Sequence, residues 1–131
     1  MREFLFKAKR CDTSEWVEGY LSGPFGIYKG YEISDIYDVT GIKVDVKPYS
    51  ICQFTGLYDR NKKRIYENDI VRHYNNLNDK DKFTVGVIVW SSEKCEFRRT
   101  TQNREEKTCK IANYCDYEVI GNTFDNAELL Q

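Results

Sequence analysis

The stretch Gln53–Val71 constrains this chain more than any other, because it sets strand-length runs end to end with only tight polar turns between them. Gln53-Phe54-Thr55-Gly56-Leu57-Tyr58 meets the turn Asp59-Arg60-Asn61-Lys62. Lys63-Arg64-Ile65-Tyr66 then meets Glu67-Asn68, and Asp69-Ile70-Val71 opens the next run. The pattern reads as strand, turn, strand, turn, strand. Asp59 is the residue type that accepts backbone N–H bonds across a turn, and Asn61 or Lys62 is placed to take positive φ. Asn68 tolerates the left-handed region, and the Asp69 carboxylate can hold orphan amides beside its strand. A partner segment lies near the C-terminus, Tyr117-Glu118-Val119-Ile120-Gly121-Asn122-Thr123-Phe124-Asp125-Asn126-Ala127-Glu128-Leu129-Leu130.

The rest of the chain is patterned in the same way. Phe4, Phe6 and Ala8 alternate with Glu3, Leu5 and Lys7 as a first strand, and Trp16–Leu21 is a second after the polar turn Cys11–Glu15. Phe25–Tyr28 and Tyr31–Ile33 flank Lys29-Gly30 as a candidate hairpin. Ser34–Val39 fits no single template, although Ile36, Tyr37 and Val39 have the character to pack. Ile42, Val44 and Val46 alternate with Lys43, Asp45 and Lys47 as a half-exposed strand. Pro48 ends it for want of a backbone donor, and the boundary between an N-terminal β subdomain (1–50) and a second domain (51–131) is placed there.

In the second domain Ile51–Phe54, Arg64–Tyr66 and Asp69–Tyr74 are expected strands, with Asn75–Lys82 a polar loop. Thr84–Trp90 is apolar on both faces and β-branched, as a central strand is. Val85, Val87 and Val89 are therefore expected in the core with Leu57, Ile65, Ile70 and Val119. Gly86 permits a bend or a close backbone approach. Cys95–Arg99 is a further strand, and Thr100–Lys107 is polar enough to be a mobile loop. Tyr114–Ile120 is the last strand, and Asn126–Leu130 starts a short helical turn with Asn126 as its N-cap. No strong helical pattern, internal repeat or low-complexity segment occurs. The expected fold is mainly β with minimal helix, a barrel or rolled sheet.

Composition narrows the function. Forty per cent hydrophobic and 31% charged residues in 131 is ordinary for a soluble globular protein of one domain or a domain with a small subdomain. The net charge of −1 leans against a dedicated nucleic-acid binder, leaving only a local patch for that role. Ten tyrosines, seven phenylalanines and two tryptophans are a heavy aromatic load that makes a compact β core affordable. Cys11, Cys52, Cys95, Cys109 and Cys115 are odd in number and hold no C-x-x-C pair, so free thiols of a reducing cytosol are expected. His73 is the only histidine, expected to face solvent, and no metal or other cofactor is expected. The N-terminal apolar run is too short for a signal peptide and no stretch approaches a membrane span, so a cytoplasmic protein without membrane contact is expected.

Two surfaces hold candidate binding residues. Arg60, Lys62, Lys63 and Arg64 stand beside Tyr58 and Tyr66, a mixture that suits single-stranded nucleic acid, with Arg98, Arg99 and Arg104 as an extension. The plainer alternative is a solvated hairpin tip whose charges guard an edge. Trp16, Tyr20, Phe25, Tyr28 and Tyr31 crowd an N-terminal third too small to bury them alone, as in a subunit interface, with an intrachain core as the alternative. Glu67 and Asp69 form a carboxylate pair, but a third partner and a cleft are needed for acid–base work, and turn building is the simpler role. No G-x-S-x-G, H-E-x-x-H or phosphate-cradling glycine loop occurs, so no enzyme is expected.

Thr55-Gly56-Leu57, Asp59 and Ile65-Tyr66-Glu67-Asn68-Asp69-Ile70-Val71 resemble the T-G-L-x-D-x-x-G-x-x-I-[YF]-E-G-D-I-V signature of the YopX family of phage and prophage proteins. Val119-Ile120-Gly121-Asn122, Phe124-Asp125-Asn126 and Glu128-Leu129-Leu130 resemble the family's C-terminal motif, and Phe6-Lys7-Ala8 its usual start. Lys62 and Asn68 stand where glycine is usual, Ala127 where proline is usual, and Lys9 where tryptophan follows the start. The resemblance implies an N-terminal β subdomain followed by an SH3-like barrel, and a viral origin in a bacterial host. It carries over no catalytic residue. The expected function is therefore a phage- or prophage-encoded accessory protein, a non-enzymatic binding or assembly module. Its expected partner is itself, as a homo-oligomer, with a host protein as a further candidate and single-stranded nucleic acid as the alternative.

Overall fold

The computed structural model describes residues 5–22, 32–34, 43–74, 82–101, 104–111 and 117–130. The expectations for Phe25–Tyr31, Ile36–Ile42 and most of Asn75–Lys82 lie outside them. The chain divides into two compact units, Met1–Phe54 and Thr55–Gln131.

The first unit is antiparallel. β1 (Phe6–Lys9), β2 (Trp16–Ser22), β3 (Glu32–Ser34), β4 (Lys43–Asp45) and the start of β5 (Cys52–Tyr58) lie in the order β4-β3-β2-β1-β5. Lys9 pairs with Trp16 and Phe6 with Gly19, which fixes a short loop between β1 and β2. Within it Ser14 takes φ 62°, and the Arg10 guanidinium donates to Asp12 Oδ1 at 2.9 Å. That ion pair pulls the exposed Asp12 carboxyl from 3.8 down to about 2. Ala8 and Val46 are buried, with Phe6, Val17 and Ile51 packed on them. Pro48 does end the preceding strand and starts a 3₁₀ turn, Pro48–Ser50. Ser50 is buried within it, and its hydroxyl accepts from Lys9 N (2.8 Å) and donates to Lys47 O (2.7 Å), so burial leaves that hydroxyl satisfied.

The second unit begins in the later half of β5, which neighbours β6 (Arg64–Tyr66). β7 (Asp69–Tyr74), β8 (Phe83–Ser91), β9 (Glu96–Thr101), β10 (Arg104–Lys110) and β11 (Tyr117–Asn122) form an antiparallel sheet in the order β10-β9-β8-β7-β11. A final 3₁₀ turn spans Ala127–Leu130. The protein is mainly β, and no α-helix occurs among the described residues. This unit is compatible with the SH3-like barrel expected there.

The core of the second unit gathers Ile65, Val71, Ile88, Ile111 and Tyr117, with Leu57, Phe97 and Val119 packed against it. Register explains the choice. Val71 pairs with Gly86 and Ile88 with Arg99, so the even positions of β8 face this core. Val85, Val87 and Val89 stand on the other face and are only half-buried, as are Leu57 and Val119; Ile65 and Ile70 are fully buried. The expectation erred because a run apolar on both faces does not reveal which parity points inward. Gly86 does mark a close approach, since a Cβ there would stand 2.5 Å from Thr100 O.

The expected loop Thr100–Lys107 is another correction. β9 continues through Thr101 and β10 starts at Arg104, with a register shift between Arg104 and Thr108. A strand with a neighbour on one side only can be highly polar, and charges and bulges are common on such edges.

Candidate binding surface on the β5–β6 hairpin

The turn residues singled out in the sequence build the hairpin and its anchorage. Thr55 Oγ1 donates to Ile65 O (2.8 Å) and accepts from Leu57 N (3.1 Å), bracing β5 against β6. Gly56 between them takes φ 90° with open space around it, so its need is conformational rather than steric. Asp59 is buried. Its Oδ1 accepts from Asn61 N (2.8 Å) and Lys63 N (2.9 Å), and its Oδ2 accepts from Val119 N (3.0 Å). Arg60 N donates to Tyr117 O at 2.8 Å. One side chain thus shapes the turn and ties it to the edge of β11. Lys62 takes φ 64°, the conformation for which glycine is usual.

The second turn has the same logic. Asn68 takes φ 71°, its N–H donates to Ile88 O (2.8 Å), and its carbonyl accepts from Thr123 N (3.0 Å). Asp69 is buried, and its Oδ2 accepts from Tyr66 N at 2.8 Å, holding the strand before it. Glu67 is half-buried beside it. At the C-terminal motif a Cβ on Gly121 would stand 2.6 Å from Asn126 Oδ1. Asn122 Oδ1 accepts from Phe124 N (3.0 Å) and Asp125 N (2.9 Å), while Asn122 N donates to Asn126 Oδ1 (3.2 Å). Asn126 therefore turns its side chain back to the strand end, whereas its residue type and position predict a cap facing forward.

The hairpin tip presents the basic cluster unevenly. Arg60, Lys62 and Lys63 are exposed, whereas Arg64 is half-buried in β6. Among the described residues none of those three exposed cations forms an ion pair. Of the flanking rings, Tyr58 is half exposed and Tyr66 lies in the interior. The proposed extension does not assemble. Arg98 is absorbed by Glu96 Oε2 (3.1 Å) and by Thr108 Oγ1 (2.8 Å) and O (3.2 Å). Arg99 points to the opposite face, its guanidinium 5.9 Å from the Tyr117 ring centre. The Arg104 side chain lies outside the described residues.

The structure adds residues that the sequence does not single out. The Arg60 guanidinium lies 4.5 Å from the Tyr74 ring centre. Tyr74 pairs with Phe83 across β7–β8, their rings tilted 5.8 Å apart. The Arg72 guanidinium lies 4.6 Å over Phe83, and its Nη1 is 3.7 Å from Glu118 Oε1. Only the β7–β8 register brings Tyr74 to Phe83, and a basic run in the sequence gives no signal for it. His73 occupies the other face of β7, stacked on Tyr117 at 4.8 Å rather than turned to solvent.

In the first unit Trp16 is half-buried under Lys7 and Lys9, whose Nζ atoms stand 4.8 and 5.5 Å from its ring. Tyr20 lies in β2 opposite Ser34. Phe25, Tyr28 and Tyr31 lie outside the described residues. Cys11, Cys95 and Cys109 are free thiols, and the buried Cys52 Sγ donates to Ser50 O (3.3 Å). Among the described residues no group of three or more His, Cys, Asp or Glu is arranged to hold a metal ion. No helix among them is long and apolar enough to cross a membrane.

No curated protein matches this chain. The crystal structure of protein EF1440 from Enterococcus faecalis is similar over 100% of both chains, with a TM-score of 0.62 at 22% sequence identity. That likeness extends to the fold. The family model described as YopX protein matches residues 5–131, which include the turns whose hydrogen bonds are described above. The chain belongs to the YopX family.

Proposed function

We propose that this is a phage- or prophage-encoded accessory protein of the bacterial cytoplasm that acts by binding and assembly, not by catalysis. Its first partner is a second copy of itself, and a host protein is the next. One observation carries the reading. Four polar side chains of the family signature, Thr55, Asp59, Asp69 and Asn122, hold backbone amides in the turns or in the strands beside them. A signature devoted to turn geometry supports a scaffold that presents surfaces, since acid–base work needs a free carboxylate in a cleft with a third group. Sedimentation of the purified protein tests it. A mass that is a multiple of 15.5 kDa is expected, and a monomer at every concentration removes self-assembly.

A second reading is single-stranded nucleic-acid binding. It is favoured by the exposed Arg60, Lys62 and Lys63, which no carboxylate neutralises among the described residues, beside the half-exposed ring of Tyr58. Lys62→Glu with Lys63→Glu abolishes binding on this reading, and wild-type affinity falls steeply with salt. No binding at low salt removes it.

A further inference from the structure

We infer that the end of β7–β8 that carries Tyr74 and Phe83, beside the hairpin, is the stacking half of a single-stranded nucleic-acid site, in which Phe83 receives a base and Arg60 and Arg72 the adjoining phosphates. The inference rests on the second reading above and adds to it a platform that the basic run alone does not contain. Tyr74 and Phe83 are directly paired across the two strands, and Arg72 is on the same face, opposite Val85. The order in space is guanidinium, ring, ring, guanidinium: Arg60 over Tyr74, Tyr74 against Phe83, Arg72 over Phe83.

The two rings differ in what they offer. Tyr74 is buried and acts as a floor. Phe83 is 39% exposed, a large apolar side chain left to water between cationic groups. Arg72 approaches Glu118 only at long range, 3.7 Å, with 40% of its side chain exposed. The Arg60 amide donates to Tyr117 O (2.8 Å), which anchors the backbone of Arg60 beside the Asp59 clamp. Lys62 and Lys63 continue the positive charge along the hairpin tip. An anion alone satisfies the cations but gains nothing from an exposed ring. A duplex keeps its bases stacked on one another. A single strand supplies both a phosphate backbone and free π faces.

The test uses the full chain and a fluorescein-labelled oligothymidylate of about ten nucleotides, within the usual footprint of such sites. Phe83→Leu keeps an apolar side chain and removes the ring. It is expected to weaken binding roughly 5- to 150-fold, the range that corresponds to one stacked base. Its salt dependence should stay that of wild type, while reversal of Lys62 and Lys63 should flatten that slope by about 0.7 for each phosphate no longer neutralised. Phe83→Trp is the second measurement. Its added emission, over that of Trp16 and Trp90, should be quenched by saturating oligonucleotide. If Phe83→Leu binds as wild type, or the added emission is unchanged on binding, the platform is wrong and the hairpin reading stands. Displacement of the oligonucleotide by polyglutamate at equal charge concentration also overturns it, because the surface then reads charge alone. If wild-type protein binds no oligonucleotide at low salt, the hairpin reading fails and the platform with it.

Discussion

Asp59 accepts three backbone bonds, and its loss should show how far the turn depends on one carboxylate. Asp59→Ala strands the amides of Asn61, Lys63 and Val119. Two of them lie near the exposed tip and regain water, so the expected cost is about 2–4 kcal/mol, read from urea unfolding. A change below the error of the fit contradicts the assignment. Gly56 and Gly121 separate two reasons for glycine. Gly56 has φ 90° and open space, so Gly56→Ala should cost roughly 1–2 kcal/mol whatever surrounds it. Gly121→Ala meets the Asn126 side chain, and adding Asn126→Ala should recover part of its cost. Equal and additive losses at both glycines would sink the distinction. At Asp12, folding lowers the carboxyl pKa, so its contribution is full above about pH 3.8 and is lost as pH falls toward about 2. The pair with Arg10 is exposed, so that contribution should be small and vanish in high salt, and Asp12→Asn should remove it.

At the scale of elements, β8 offers the sharpest test of orientation. Ile88→Asp buries an unpaired charge in the core and should cost more than about 3 kcal/mol, while Val89→Asp, opposite Arg98, should cost about 1 kcal/mol. Chemical denaturation of both variants decides it, and the reverse order would mean the strand is assigned one residue out of register. The strand itself is legible from its β-branched run, but its inward parity is not. Periodicity reveals a buried face only when the other face is polar. Turn chemistry is more legible. Asp59 and Asp69 make the turn bonds expected of their types, and Lys62 and Asn68 take the positive φ that their turn positions require, because those constraints are local. β10 is illegible, since what makes Arg104–Lys110 a strand is its neighbour β9 and not its own composition. The candidate site is half legible for the same reason. Lys62 and Lys63 are neighbours in sequence, whereas Tyr74, Phe83 and Arg72 meet only across paired strands.

For the whole molecule, charge and aromatic content bear on association. A net charge of −1 gives little long-range repulsion between copies, and 15% of the residues are aromatic. In the first unit the ring of Trp16 is half-buried beneath two lysines. A half-buried indole is a surface that a second copy can cover, since aromatic side chains are enriched at interfaces. The expected outcome is that light scattering at micromolar concentration reads more than the 15.5 kDa of one chain. Trp16→Ala together with Tyr20→Ala should shift that mass toward the monomer. A structural role alone would instead lower the melting temperature at constant mass, so the two measurements are made on the same samples. Dilution supplies the control, because a melting temperature linked to assembly rises with protein concentration and one set within a single chain does not. A wild-type mass of one chain at all concentrations would return these rings to intrachain packing and leave a monomeric binding module.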